Sequence, residues 1–324
     1  MNSAQGLGIE TLKIVFMGTP ALAAHILDRL VAASGPRFGV VGVVTRPDQP
    51  RGRGLALEPS EVGAVAARAG IPALKPVKIR TGEFLGQLKA FDPDLIVVAA
   101  YGRILPNPVL EAARIMPLNV HLSILPHYRG AAPIEGAILA GDGETGVTIM
   151  RITERMDAGP ILLQRAIPIA AGDTQATLKS KLAELGAVLL LEAIEKLRRG
   201  ALVETPQDES KATYTAPVKK EDAIIDWSAD AVRIERMTRA YDPWPIARTT
   251  MDGEPILIYR AAAEPAPPSG DAPGTILWLK PAPTVQCGLS RMVLLEVQAP
   301  GRKRMGAADF CRGRRIEAGR RLGT

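Results

Sequence analysis

Asn119 and His121 stand two residues apart in the apolar run "PLNVHLS", residues 117–123. Side chains alternate across a strand, so the two polar groups share one face while Val120 and Leu122 point the other way. Such a pair is either satisfied inside a core or aimed at a site. Pro126 breaks the chain shortly afterwards. "RGAAPIEGAI" then opens a helix with small residues, which let a ligand approach closely. Further on, "RITERMDAGPILLQ" places Asp157 in a polar turn before another apolar run. Alone, Asp157 reads as turn chemistry. Taken together, Asn, His and Asp suit acyl or formyl transfer. An amine that attacks a formyl carbon creates an oxyanion, which needs a preorganised donor. The nitrogen must lose a proton and the leaving group must gain one, and a histidine, with a reference pKa of about 6.5, suits both transfers. A carboxylate can hold the imidazole and stabilise its charged form, or take the proton through water.

The flanking sequence describes the elements that must position these groups. "LKIVFMGTP" (12–20) reads as a buried strand ending in a glycine turn, followed by the helical spacing of "ALAAHILDRLVAA". "FGVVGVVT", "DPDLIVVAAYG" and "IMPLNVHLS" are further strands. "EPSEVGAVAARAG" is a helix with Ser60 as its N-cap. Continuous apolar strands alternating with helices predict an α/β fold, a doubly wound and mostly parallel sheet covered on both faces. Sites in such sheets lie beyond the carboxyl ends of the strands. "ETGVTIMRIT" and "GPILLQRAIPIA" add two strand-like runs. A long amphipathic helix follows, with Leu178, Leu182, Leu185 and Leu189 on one face and Lys196, Arg198 and Arg199 near its end. Periodicity is then lost, and a linker is expected at residues 204–219. After it come the helix "SADAVRIERMTRAY" and five short β-like runs separated by turns, the pattern of a small β-barrel or sandwich. The expected organisation is a leader (1–11), a catalytic domain (12–203), the linker, and a C-terminal domain (220–324). After the first strand only Gly18 is present of the three spaced glycines a dinucleotide needs, so NAD is not expected.

Composition bounds the partners. The 324 residues are 47% hydrophobic and 23% charged, with a formal net charge of +6. That size suggests about two domains. The basic bias is compatible with nucleic acid or an anionic ligand. Two cysteines and three histidines cannot form a recognisable metal-ligand spacing, so no metal is expected. The scarcity of cysteine points to a reducing compartment. The first residues lack the basic start and apolar core of a signal peptide, and no apolar run approaches the roughly 18 residues of a membrane span. A cytoplasmic monomer with no membrane contact is the simplest expectation.

The run "NVHLSILPHYRGAAPIEGAILAGDGETGVTIMRITERMDAGPIL", with "FMGTP", "VVTRPDQPRGRG", "AYGRILP" and "AYDPWP" in the same order, closely resembles the methionyl-tRNA formyltransferase family, from residue 12 to the C-terminus. The resemblance implies a folate-dependent formyltransferase domain followed by a barrel similar to the oligonucleotide-binding type. It also implies transfer of a formyl group from 10-formyltetrahydrofolate, a co-substrate, to the amino group of methionyl initiator tRNA. It assigns Asn119, His121 and Asp157 to the catalytic trio. It places folate contact at "SILP" (Ser123, Ile124, Leu125, Pro126) and along Tyr101, Gly102, Arg103, Ile104 and Leu105. It makes "RPDQPRGRGLALEPS" the loop that reaches the tRNA acceptor end, with Arg46, Arg51 and, in the key position, Arg53.

Two positions depart from the family pattern near the site. Leu122 stands where Gly or Ala is frequent, and His127 where Arg is common. Leu55, Ala56 and Leu57 replace lysines often found after "GRG", which lowers the charge of the loop. In the C-terminal domain Arg302, Lys303 and Arg304 form a basic cluster; Arg233, Arg236 and Arg239 recur at helical spacing, and Arg312, Arg314, Arg315, Arg320 and Arg321 follow. Such groups are either a solvated face or phosphate contacts. Two other readings stand beside the tRNA enzyme. One is a formyltransferase acting on an amino sugar nucleotide or other small amine. The other is a noncatalytic folate- or RNA-binding module.

Overall fold

The computed structural model describes residues 11–51, 56–267 and 269–324. The expected leader therefore lies outside the described residues except for Thr11. The chain opens with β1 (Leu12–Gly18), α1 (Ala21–Ala32), β2 (Phe38–Val44), the hairpin strands β3 (Gln49–Arg51) and β4 (Ala56–Glu58), α2 (Glu61–Arg68), β5 (Ala73–Leu74), α3 (Gly82–Ala90), β6 (Leu95–Ala99), α4 (Asn107–Leu110), β7 (Met116–His121) and β8 (Arg129–Gly130). It continues through α5 (Pro133–Ala140), β9 (Glu144–Arg151), β10 (Ile161–Pro168), α6 (Gln175–Arg198) and β11 (Tyr214–Thr215). A seven-stranded sheet runs in the order β10-β9-β7-β6-β1-β2-β5. The neighbours of β1, β2, β5, β6 and β7 within that group are parallel. Strand β9 runs antiparallel to β7, and β10 antiparallel to β9.

The apolar runs explain the layers. Ile14, Val15, Phe16 and Met17 of β1 and Leu95, Ile96 and Val97 of β6 are fully buried. Strands this apolar on both faces must be covered on both. The helix starts use the residues the sequence offers. The Ser60 hydroxyl accepts from the Gly63 N–H at 2.9 Å and lies 2.6 Å from the Thr45 hydroxyl, which ties the start of α2 to the end of β2. Thr81 caps α3 through the Phe84 N–H. The loop expected at residues 46–60 contains a two-stranded ribbon, Gln49 opposite Glu58 and Arg51 opposite Ala56.

The remaining elements are α7 (Ala231–Ala240), β12 (Arg248–Met251), β13 (Glu254–Glu264), β14 (Ile276–Trp278), β15 (Thr284–Gln286), β16 (Arg291–Gln298), β17 (Met305–Gly306) and α8 (Ala307–Gly313). Their sheet is antiparallel, in the order β12-β13-β16-β15-β14 with β17 beside β16. It is a curled half-barrel and not a closed barrel. The long strand β13 shifts register against β16 on either side of Arg260, and such irregularities increase local twist and bend the sheet. The core of this sheet gathers Ile225, Trp227, Ile234, Ile256, Ile258 and Phe310. The buried Trp227 indole N–H donates to the Thr249 hydroxyl at 2.9 Å, so its one polar atom is satisfied.

The described chain forms two compact units. The first extends through Pro133 and includes Glu144–Pro168 and Lys179–Thr215. The second is Ile134–Gly143, Ile169–Leu178 and Ala216–Thr324. Much of the segment expected as a linker, through Thr215, thus belongs to the first unit. No helix among the described residues is long and apolar enough to cross a membrane.

Both cysteines are buried free thiols. Burial, with Asp230 nearby as a smaller cause, pushes the Cys287 thiol from an ordinary 9.0 up to about 12, and burial pushes Cys311 up to about 11. The reactive species is the thiolate. Neither thiol is therefore expected to react with a disulfide reagent near pH 8 in the folded protein, and both are expected to react after denaturation; a rapid thiol count on the folded protein checks this. In the folded state the thiols keep protons that the unfolded chain releases above its ordinary value. Their contribution to stability is therefore lost as pH rises from about 9 toward the folded values.

Gly18 ends β1 where space is scarce. A Cβ there would lie 2.7 Å from the Ala23 Cβ and 2.8 Å from the Ala99 carbonyl oxygen. Gly18→Ala is expected to destabilise the protein by about 1–3 kcal/mol, as overpacking of a tight contact does. The measurement is a lower urea midpoint at unchanged slope.

Candidate active site

Strand β7 delivers Asn119 and His121 to one face at the carboxyl edge of the parallel sheet. Val120, between them, points the other way and is 3% exposed. Its Cγ1 lies only 2.9 Å from where a Cβ on Gly186 would stand, so the glycine lets α6 pack close beneath the strand. The chain then turns through Ser123–Pro126 and comes back as β8. The turn is closed by Ser123 and by polar groups of β9 and β10. The Ser123 hydroxyl donates to the His127 carbonyl at 2.6 Å. Thr148 donates to the Ser123 carbonyl at 2.7 Å and accepts from the Leu125 N–H. Gln164 donates to the Leu125 carbonyl at 2.9 Å.

The trio converges around the Asp157 carboxylate. Its Oδ1 accepts from the Asn119 amide at 3.3 Å, and its Oδ2 accepts from the Gly130 backbone N–H at 2.8 Å. His121 Nδ1 is 3.6 Å from Oδ2. His121 and Asp157 are only 6% and 15% exposed. On its other side, His121 Nε2 sits 3.0 Å from the Tyr128 carbonyl. A carbonyl only accepts, so Nε2 carries the hydrogen, and in the neutral ring Nδ1 is the bare nitrogen. Asp157 occupies the left-handed region, with φ 50°, uncommon for a residue with a side chain.

β8 supports this arrangement from behind. It pairs in parallel with β11, Arg129 opposite Tyr214 and Gly130 opposite Thr215. Gly130 has φ 109°, and a Cβ there would be 2.3 Å from the Thr215 carbonyl oxygen, so only glycine fits. Arg129 is fully buried. Its guanidinium donates to Gln207 Oε1 at 3.1 and 2.8 Å, to both carboxylate oxygens of Glu209 at 3.2 and 2.9 Å, and to the Tyr214 hydroxyl at 3.1 Å. Glu209 holds the Arg129 guanidinium above its usual value. Hydrogen bonds from Arg129, then Arg155, pull Glu209 down to about 2. The sequence reading missed Arg129, Gln207, Glu209 and Tyr214. The last three lie in the aperiodic stretch, and the only signal was an arginine beside the small-residue run.

The trio opens onto a cleft of about 540 Å³, within the range of small-molecule sites. Tyr101, Ile104, Leu105, Met150, Ile152 and Met156 supply much of its wall. Gly102 and Arg103 line it too, and Arg103 anchors that loop by donating to the carbonyls of Pro76 and Val77. Burial raises the pKa of Tyr101. Leu122, expected on the opposite face, also lines the cleft, because β7 ends at His121 and strand alternation stops there. Of the residues expected to touch folate, Tyr101, Gly102, Arg103, Ile104 and Leu105 border the cleft, and Ser123, Ile124, Leu125 and Pro126 form the turn directly after His121 and Leu122, which line it. That turn is held from outside by Thr148, by Gln164 and by the Thr213 N–H, which donates to the Pro126 carbonyl at 3.2 Å. No group of His, Cys, Asp and Glu among the described residues is arranged to hold a metal.

The expected RNA contacts fall in both units of the chain. Arg46 is half-buried, and one of its guanidinium nitrogens has no hydrogen-bond partner among the described residues. Arg53 and the side chain of Arg51 lie outside the described residues. Arg302 and Lys303 are exposed in the turn after β16. Arg304, beside them, stacks over the Tyr259 ring at 4.4 Å and pairs with Glu296.

Comparison with known proteins places this geometry in context. The formyl transferase model matches residues 12–194, and the formyl transferase C-terminal domain model matches residues 217–315. A methionyl-tRNA formyltransferase of Roseiflexus sp. (strain RS-1) is 46% identical over 96% of this chain and 95% of its own length. That of Methylococcus capsulatus is 45% identical over 97% of this chain and all of its own. Among solved structures, an N-formyltransferase from Helicobacter canadensis in complex with folinic acid and dTDP-3-aminofucose superposes with a TM-score of 0.64 at 15% identity, covering 89% of this chain and 99% of that one. HypX from Aquifex aeolicus in complex with tetrahydrofolic acid gives 0.59 at 19% identity over 92% of this chain, which spans 46% of HypX. At such identities these two structures show a shared fold.

Proposed function

The chain belongs to the formyl transferase family, and from that premise we propose that Asn119, His121 and Asp157 carry the formylation of methionyl initiator tRNA, with 10-formyltetrahydrofolate as donor. Identity of 45–46% to methionyl-tRNA formyltransferases over nearly the full length supports the acceptor. The observation that carries the site assignment is the convergence of Asn119 and His121 on the Asp157 carboxylate at the edge of the cleft.

The cleft suits the donor by size and lining. Its apolar wall matches a flat heterocycle, and the loop Tyr101–Leu105 is assigned to that contact. The donor supplies the activated formyl carbon. The chain supplies orientation and proton movement. Asn119 uses one amide hydrogen on Asp157 and has a second for the oxyanion that develops as the amine attacks. The bare Nδ1 of His121 can take the proton lost by the attacking nitrogen and return it to the leaving nitrogen. Once protonated, the ring has both N–H groups answered, Nε2–H by the Tyr128 carbonyl and Nδ1–H by the Asp157 carboxylate. Asp157 thereby stabilises the imidazolium and fixes its orientation.

Phosphate contact is assigned to Arg46, Arg51 and Arg53 of the ribbon segment and to Arg302, Lys303 and Arg304. A cytoplasmic site of action follows from a translation substrate. A monomer suffices, since one chain supplies the whole trio and its cleft.

The decisive assay offers 10-formyltetrahydrofolate with methionyl initiator tRNA, methionyl elongator tRNA or an amino sugar nucleotide, and follows N-formylation. Formylation of the sugar alone would replace the tRNA reading. His121→Ala and Asp157→Asn are each expected to slow single-turnover formylation by about 10²–10⁴-fold, the usual contribution of a general acid–base group. Folate affinity and the unfolding midpoint should be unchanged. Replacing Arg302 and Lys303 together by alanine is expected to lower the steepness of log K against log salt for tRNA binding by about 2. Arg304→Ala is expected to change it less, because Glu296 and Tyr259 already engage that guanidinium.

A further inference from the structure

We propose that Gln207 is a positioning residue for the catalytic carboxylate, holding Asp157 through its backbone and through the β8 arginine at once. The inference rests on the assignment of Asp157 as catalytic. Gln207 lies in the stretch that sequence reads as linker, yet its amide is used at every position. Its Nε2 donates to the Asp157 carbonyl at 2.8 Å and to the Gly159 carbonyl at 2.7 Å. Its Oε1 accepts from Arg129 Nε and from a terminal guanidinium nitrogen. The reverse amide orientation would set oxygen against two carbonyls and N–H against the guanidinium, so these partners determine the orientation.

Each contact bears on the geometry of Asp157. The residue sits at φ 50°, a conformation that persists only where its surroundings impose it. Gln207 ties the carbonyl of Asp157 itself, inside the turn closed by the Ala158 N–H on the Arg155 carbonyl, and that of Gly159 just after it. Arg129, anchored on Gln207 Oε1, immediately precedes Gly130, whose N–H holds Asp157 Oδ2. One side chain thus secures both the backbone of the carboxylate residue and the strand that donates to the carboxylate. Glu209 extends the same hold, pairing with Arg129 and with Arg155, two residues before Asp157. A displacement of about 1 Å of a reacting group can cost about 10²-fold in rate.

The test is single-turnover formylation with saturating 10-formyltetrahydrofolate and methionyl-tRNA. Gln207→Ala is expected to slow the step by about 10–100-fold, with both substrate dissociation constants within about twofold of wild type and the fold retained by circular dichroism. Gln207→Glu preserves side-chain length and an oxygen for Arg129 but removes the donors to the carbonyls. It is expected to be as slow as the alanine variant, and wild-type turnover in it would overturn the proposal. The deciding comparison is made in the Asp157→Ala background. If Gln207 acts through Asp157, adding Gln207→Ala there slows the reaction no further. Multiplication of the two defects would mark Gln207 as a general structural support and overturn the proposal. A wild-type rate in Asp157→Ala alone would instead remove the catalytic assignment, and this inference with it.

Discussion

The site depends on one partly desolvated carboxylate. Asp157 brings a negative charge to the edge of a cleft, where an unanswered charge is costly. Its oxygens are therefore answered by groups from different parts of the chain. The Asn119 amide donor comes from β7 and the Gly130 N–H from β8, with the His121 ring beside them at 3.6 Å. Those donors also define its chemistry. Asn119 has a second amide hydrogen that Asp157 does not use, and the imidazole gains a counter-ion only when protonated. The contacts that make the charge tolerable are thus the ones the proposed proton transfer uses.

Much of the surrounding fold can be read as a consequence. The parallel sheet ends β6 and β7 side by side, Val98 level with Asn119, so the apolar loop after β6 and the polar pair on β7 face one cleft. The antiparallel strands β9 and β10 bracket the turn that carries Asp157. β11 closes on β8 so tightly that only glycine fits at residue 130. The buried Arg129 is stable because all of its donor nitrogens are matched, by an amide, a carboxylate and a phenol.

The basic character of the chain looks different once side chains are paired. A net charge of +6 suggests a general cationic surface. In the second unit, however, Arg304, Arg312, Arg314 and Arg320 are paired with Glu296, Asp309, Glu254 and Asp252. Arg239 pairs with Glu235 one helical turn away. Exposed pairs of this kind contribute little to stability, but they lower the positive field each arginine presents. Charge counting cannot distinguish these groups from Arg302 and Lys303, because a salt bridge is a matter of geometry.

The sequence by itself determined the face shared by Asn119 and His121, since strand alternation is a local rule that the backbone imposes on any residue. Apolar runs and helical spacing likewise determined the alternating strands and helices, and Ser60 its cap, because each is decided within a few residues. Motif order carried the family. The tertiary structure alone decided that β9 and β10 run antiparallel, that the second sheet curls into an open half-barrel, and that residues 205–215 return to the site. Those outcomes depend on pairings across the chain: β8 with β11, or Gln207 with Asp157 fifty residues away. An aperiodic polar segment carries no local sign of its partners. Its hydrogen bonds are as specific as those of a sheet, but they are made to residues brought near only when the chain has folded.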